Sequence, residues 1–230
     1  MKKVLLSIFT AAAIVFTASA QDEMSSVMKQ ESGNRNLEVQ FAPLGGSPIS
    51  IGGIRYRAFL SDQTAYRATI FIGYSSESTI TQQENSGASL KELKDTESSF
   101  TISLRPGYEK HFNGTERLSP YIGGEIDFAM QTSSSEVQTQ PAADVVSTTT
   151  KGQDGFVRFG LNGFAGVDYY VAKKLYLGTE LGFGFSMTSN SDIKIESDAP
   201  GFTAPDPQKQ GSSLNIGPNV LGQIRLGFLF

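Results

Sequence analysis

The chain contains no cysteine and no tryptophan, and its one histidine is His111. Without cysteine there is no disulfide, no thiolate metal site and no cysteine nucleophile. A single histidine leaves little for imidazole metal sites or nucleophile–base pairs. After residue 20 no apolar run approaches the ~20 residues of a membrane-spanning helix, so any passage through a bilayer has to be made by strands. Basic residues are the minority sign, 19 against 23 acidic. Removing Lys2 and Lys3 takes 19 to 17 and leaves a net charge of about −6, which argues against a nucleic-acid partner.

What is present begins with a basic pair, an apolar run from Val4 to about Phe16, and Thr17-Ala18-Ser19-Ala20 before Gln21. Basic head, short apolar centre and small-residue end read as a secretory signal peptide over 1–20. Residues 21–35 are polar and aperiodic and read as a flexible periplasmic lead-in. Residues 36–230 are the size of one domain.

That domain alternates apolar and polar residues with period two in eight segments: 37–43, 51–60, 66–74, 99–112, 118–130, 156–171, 175–187 and 213–230. The last is the longest. Leu214, Ile216, Val220, Ile224, Leu226, Phe228 and Phe230 share one side, with Asn215, Asn219, Gln223 and Arg225 on the other. Three connections are short (61–65, 113–117, 172–174) and three are long and polar (75–98, 131–155, 188–212); the first, 44–50, breaks the alternation by being short as well. In an antiparallel meander all the long ones fall at one end. That is the asymmetry of transmembrane barrels, with short periplasmic turns and longer extracellular loops.

Alternation alone does not say which side faces out, since a soluble barrel would bury the apolar face. Three features choose the membrane arrangement. The polar face is rich in glycine, for example Gly107, Gly123, Gly166, Gly178 and Gly227, which suits a crowded lumen better than a solvated surface. Its charges balance: Arg55, Arg57, Arg67, Arg105, Arg158 and Arg225 against Glu38, Glu109, Glu125, Asp127, Asp168 and Glu180, with no lysine. Arginine with carboxylate is the composition of a buried, hydrogen-bonded network. Most segments also reach the ~10 residues that cross a bilayer when tilted. Matching by depth pairs Glu180 with Arg225, Arg105 with Glu125, Arg158 with Asp127, and Glu38 with Arg57. Phe59, Phe71, Tyr121, Phe164 and Tyr176 join them inside and fill the lumen.

Signal peptide, eight alternating strands, alternate long loops and a terminal Phe230 resemble the small OmpA/OmpX-type outer-membrane barrels. The fold expected is an all-β, eight-stranded antiparallel up-and-down transmembrane β-barrel in the bacterial outer membrane. The OmpA family continues into a peptidoglycan-binding domain. This chain ends at its last strand, so the bare-barrel type is expected. The resemblance implies that Phe228 and Phe230 act as an insertion signal for the barrel-insertion machinery, with outer-membrane lipid as the surrounding partner.

No cofactor, metal or catalytic residue is expected. Lipid A acyltransferases and deacylases occupy similar barrels, but they resemble this chain without sharing its constellation: His111 lies near the short-turn end, far from the extracellular edge. Glu125 and Asp127 as an acid pair are read as network members. The long loops are mildly acidic with no EF-hand spacing, and read as solvated surface with an extracellular ligand as their functional alternative. The function expected is structural or surface interaction, with adhesion or host contact through the long extracellular loops; a narrow porin-like channel for small solutes is the alternative and a lipid-modifying enzyme the third.

Overall fold

A two-faced strand leaves backbone N–H and C=O groups unpaired on both edges until neighbours supply partners, and in lipid no water can substitute. In the computed structural model, which describes residues 28–41, 51–83, 91–140, 145–219 and 224–230, the strands meet this demand by closing on themselves. They are β1 (Arg35–Phe41), β2 (Ile51–Ser61), β3 (Thr64–Gln83), β4 (Lys91–His111), β5 (Leu118–Thr139), β6 (Val146–Lys151), β7 (Phe156–Ala172), β8 (Leu175–Asn190), β9 (Lys194–Ser197), β10 (Ser212–Asn219) and β11 (Ile224–Leu229). Antiparallel pairing runs through β1, β2, β3, β4, β5, β7 and β8 in turn. Strand β8 then pairs both β10 and β11, and β11 pairs β1. β10 and β11 are two pieces of one last stave, so the ring has eight staves. Its seam runs from Asn36↔Leu229 to Phe41↔Ile224. The proposed signal peptide, and the stretch 220–223 between the two pieces, lie outside the described residues.

The last stave keeps its faces across that stretch. Asn219 and Arg225 are six residues apart, and their partners Gly182 and Gly178 are four apart. The offset is even, so the outward set stays outward. Accordingly Leu214, Ile216, Ile224 and Leu226 are exposed while Arg225 is buried. The same division holds around the ring. Ile70, Ile72, Leu104, Ile126, Leu161, Leu181 and Phe183 face out, and Arg55, Arg57, Arg67, Glu109 and Asp168 face in. Among the described residues no helix is long and apolar enough to cross a membrane.

Three staves overrun the ring. β3, β4 and β5 have 20, 21 and 22 residues, where ~10 suffice to span a bilayer. Twenty residues at ~3.3 Å each extend roughly 65 Å, about twice the hydrocarbon thickness. Strand β5 pairs β7 up to Gln131↔Phe156 and β6 from Ser134↔Lys151 onward. Strand β6 pairs β9. Above the ring there is therefore a raised sheet in the order β3-β4-β5-β6-β9. The stretches 75–98, 131–155 and 188–212, expected as solvated loops, contain this sheet. Apart from buried Leu93, most of its residues are exposed or half-buried on both faces, so no apolar alternation marks it, and its strands rest on Ser/Thr-rich runs such as Thr148–Thr150.

At the opposite, short-turn end the two termini of the ring meet: Arg35 N–H donates to the Phe230 carbonyl (2.9 Å) and Phe230 N–H to that of Arg35 (2.8 Å). The segment expected as a loose lead-in, 21–35, is described from Met28, and this part is fixed in place. Met28 packs against the cluster of Phe59, Ala65, Tyr170, Tyr176 and Leu229. Gln30, 6% exposed, bonds to Asp62, Ser119 and Tyr170 from three different parts of the rim. The segment 28–34 is a strap across the mouth.

Candidate functional site: the filled lumen

Period two fixes which side chains enter the lumen. Packing then fixes what they touch. Arg57, with no exposed side-chain surface, lies 2.9 Å from Glu38, 3.2 Å from Glu109 and 2.6 Å from Asp168. Arg225 joins Glu38 (3.1 Å) to Asp168 (3.0 Å). Arg67 joins Glu109 (3.0 Å), Glu180 (2.7 Å) and Glu125. Arg55 joins Glu180 (3.2 Å) to Glu38 (3.7 Å). Four guanidiniums and five carboxylates thus form one connected cluster. Arg105 also faces inward and has no ion pair among the described residues; counting it brings the group to formal neutrality. Arg158 and Asp127 form a separate, higher pair at 3.0 Å. A buried charge is tolerated only when paired and hydrogen-bonded, and almost every carboxylate here has two or more guanidinium partners.

Aromatic rings occupy the remaining volume. The Arg67 guanidinium stacks 3.4 Å from the Phe164 ring centre, and Arg57 lies 5.0 Å from that of Tyr121. Tyr121 donates to Glu180 (2.9 Å) and Tyr176 to Glu38 (2.8 Å). Glycine makes the crowding feasible. A Cβ at Gly178 would stand 2.5 Å from both Arg225 Nη2 and Asp168 Oδ1, inside the ion pair itself. One at Gly227 would overlap the Tyr176 ring.

Below the cluster, polar side chains link it to the strap. His111 lies between Glu109 (Nε2 to Oε2, 3.2 Å) and Ser119 (Nδ1 to Oγ, 2.9 Å), and its ring packs against Phe59 and Tyr121. Gln30 Nε2 donates to Ser119 Oγ (2.9 Å), and Tyr170 O–H donates to Gln30 Oε1 (2.9 Å). Glu109, His111 and Ser119 have the order of an acid–base–nucleophile set, yet all three are at most 1% exposed and Glu109 is held by Arg57 and Arg67. Above the cluster the lumen opens. A cavity of about 330 Å³ is lined by hydroxyls and amides together with Glu77, Glu97 and Asp154, and Thr101 donates to Gln131 (3.0 Å) on its wall.

All twelve charges expected inside do face inward, and two of the four expected pairs form, Glu38–Arg57 and Arg158–Asp127. The other two do not. Arg225 goes to Glu38 and Asp168, Glu180 goes to Arg55 and Arg67, and Glu125 goes to Arg67. Both failed pairs join neighbouring staves, β4 with β5 and β8 with β11. Strand stagger brings other staves to the same level, so Glu180 turns to Arg55 and Arg67 across the lumen instead. Gln30 and Ser119 are functional positions that the sequence pattern does not announce. Ser119 does sit on the inward parity of β5, but nothing in 21–35 marks Gln30 as buried.

A sequence profile described as the Putative OmpA-OmpF-like porin family matches residues 50–220. No curated protein matches the chain. Among solved structures, the N-terminal β-barrel domain of Pseudomonas aeruginosa OprF is 12% identical, with 87% of this chain and all of that one covered and a TM-score of 0.30. The outer-membrane protein OprG from Pseudomonas aeruginosa is 12% identical, with 89% and 99% covered and a TM-score of 0.40. At such TM-scores the architecture rests on the strand pairing described above.

Proposed function

The chain belongs to the OmpA-OmpF-like porin family, and we propose that it is a closed barrel whose work is structural support and surface contact. It is a bacterial outer-membrane β-barrel protein of porin-like or structural type. The observation that supports closure is the connected cluster of Arg55, Arg57, Arg67 and Arg225 with their five carboxylates, backed by the strap on Gln30. An eight-stranded ring has room for side chains and little else, and here each central side chain is tied to several others. The raised sheet supplies the surface for contact with an extracellular ligand, on the reading that the long-stave end is outside. Planar-bilayer recording of the full processed chain tests closure: no steady openings are expected, and regular openings from the unaltered protein would refute it.

A narrow channel is the second reading, favoured by the cavity above the cluster. With Glu77, Glu97 and Asp154 on its wall, a conducting form should prefer cations. Openings that arise only after removal of 28–34, and that are cation-selective, would make the strap a plug. A lipid-modifying role finds little support, because Glu109, His111 and Ser119 are sealed from both lipid and water. Phe228 and Phe230 serve as the insertion signal read by the barrel-insertion machinery. Phe230 faces outward beside the closing seam, and a chain lacking it should accumulate uninserted.

A further inference from the structure

Proline inside a sheet removes one ladder bond, and in lipid no water replaces it. Pro106 lies within β4, which is paired on both sides. The ladder to β3 runs unbroken through Ala68↔Pro106. The ladder to β5 is interrupted between Leu104↔Phe128 and Gly107↔Glu125, with no change of register. Alternate residues of an antiparallel strand bond to opposite neighbours, and at the foot of this ladder Phe112 N–H donates to the Pro120 carbonyl (2.9 Å). Counting up by twos from Phe112 reaches Pro106, which has no N–H to give. The Ile126 carbonyl opposite it is therefore left without a ladder donor. Ile126 stands midway between Ile122 and Met130 on the outward face of β5, in the middle of the apolar band.

The wall is also thin at this place. Gly124 and Gly163 are directly opposed on β5 and β7, on the same outward row as Tyr66 and Tyr108. Glycine in a strand interior marks a bulge or a site where another backbone comes close. The register is continuous through both, so there is no bulge. The lumen glycines are demanded by collisions, but a Cβ on Gly124 would meet only the Asn162 carbonyl oxygen at 3.6 Å, and one on Gly163 nothing nearer than 3.8 Å. The chain's own packing thus requires neither. With Pro106, Ile126 and Leu161 they leave an outward groove of about 620 Å³, bordered by Tyr66 and Tyr108. These two exposed rings meet edge to face at 5.7 Å, and their hydroxyls have no partner among the described residues.

We infer that this groove is the contact surface for a second copy of the chain in the same membrane. Tyr108 of each copy seats over Gly124 and Gly163 of the other, and its hydroxyl donates to the Ile126 carbonyl there. A two-fold interface sets one patch against itself, so ridge and groove, donor and acceptor, have to lie side by side on one face, as they do here. Hydrogen-bond complementarity selects the occupant. An acyl chain could fill the groove but brings no donor, and neither water nor headgroups reach the middle of the band. Small residues that let backbones approach, with a polar bond across, are what joins protein segments in lipid. The inference uses the outward face alone and is independent of whether the lumen conducts.

Förster transfer between donor- and acceptor-labelled copies of the full processed chain, carrying the label on Ser78→Cys in the raised sheet, reads the association in phosphatidylcholine bilayers at falling protein-to-lipid ratio. Transfer is expected to persist on dilution. Tyr108→Phe keeps the ring and removes the donor, and should weaken association roughly threefold or more. Pro106→Ala gives the Ile126 carbonyl its ladder donor within one chain, and should weaken association to a similar extent, with Tyr108→Phe adding little on top of it. Gly163→Leu fills the groove and should abolish the persistent transfer. Tyr108→Phe and Pro106→Ala disturb no inward group and should keep the heat-dependent gel mobility of a folded barrel, so they decide the matter even if Gly163→Leu does not fold. Transfer that falls on dilution as random proximity demands would overturn the inference and leave lipid as the occupant. So would an unaffected Tyr108→Phe variant, or a Tyr108→Phe effect undiminished in the Pro106→Ala background.

Discussion

Arg57 has no exposed side-chain surface and three carboxylates within ion-pair distance. Arg158 has one, and 37% of its own side chain is exposed. The two arginines face the same lumen, but they should respond differently to truncation. Arg57→Ala leaves Glu38, Glu109 and Asp168 under-compensated in a dry interior, at a cost on the order of 3–5 kcal/mol. Arg158→Ala removes a partly solvated pair worth about 0–1 kcal/mol. Heat-dependent gel mobility measures both: the Arg57 variant should unfold at a clearly lower temperature and the Arg158 variant close to the unaltered protein. The identity of these inward charges was legible in the sequence, because parity alone selects them. Their partners were not. Arg225 and Asp168 are 57 residues apart in the chain and meet only once the ring closes.

The strap and the raised sheet are the two elements that hydropathy did not reveal, and for opposite reasons. The strap is polar in sequence yet buried at one residue, since Gln30 contributes hydrogen bonds and no apolar surface. Gln30→Ala leaves the buried hydroxyls of Ser119 and Tyr170 short of a partner, a loss of about 1–3 kcal/mol. Limited proteolysis from the short-turn side should then cut near 28–34 while the ring stays intact. An unchanged cleavage pattern would mean that Gln30 does not hold the strap. The raised sheet is regular in structure yet exposed or half-buried over most of both faces, so its strands carry no period-two signal. Because β3 and β4 remain paired through the ring from Thr64↔Lys110 upward, replacing 77–96 with a short turn should leave the barrel folded and heat-modifiable while removing its surface contacts. Failure of that variant to fold would show that the upper hairpin is needed for assembly.

At the scale of the whole molecule, the eight staves, their order, the short-turn end and the inward set were readable from alternation and connection length. Both are properties that a lipid-facing ring imposes on sequence directly. Contacts across the lumen depend on stagger and were not. The assignment of the two faces, with apolar side chains in lipid and the charge cluster enclosed, underlies every one of these properties. The absence of cysteine makes single-site spin labelling clean. Labels placed one at a time on β5 in bilayers, at Ile126, Phe128 and Met130 on one face and at Asp127, Ala129 and Gln131 on the other, report collision with oxygen dissolved in the hydrocarbon. High accessibility at the first three and low accessibility at the second three is the result this structure requires. The reverse phase, or no alternation along β5, would contradict it.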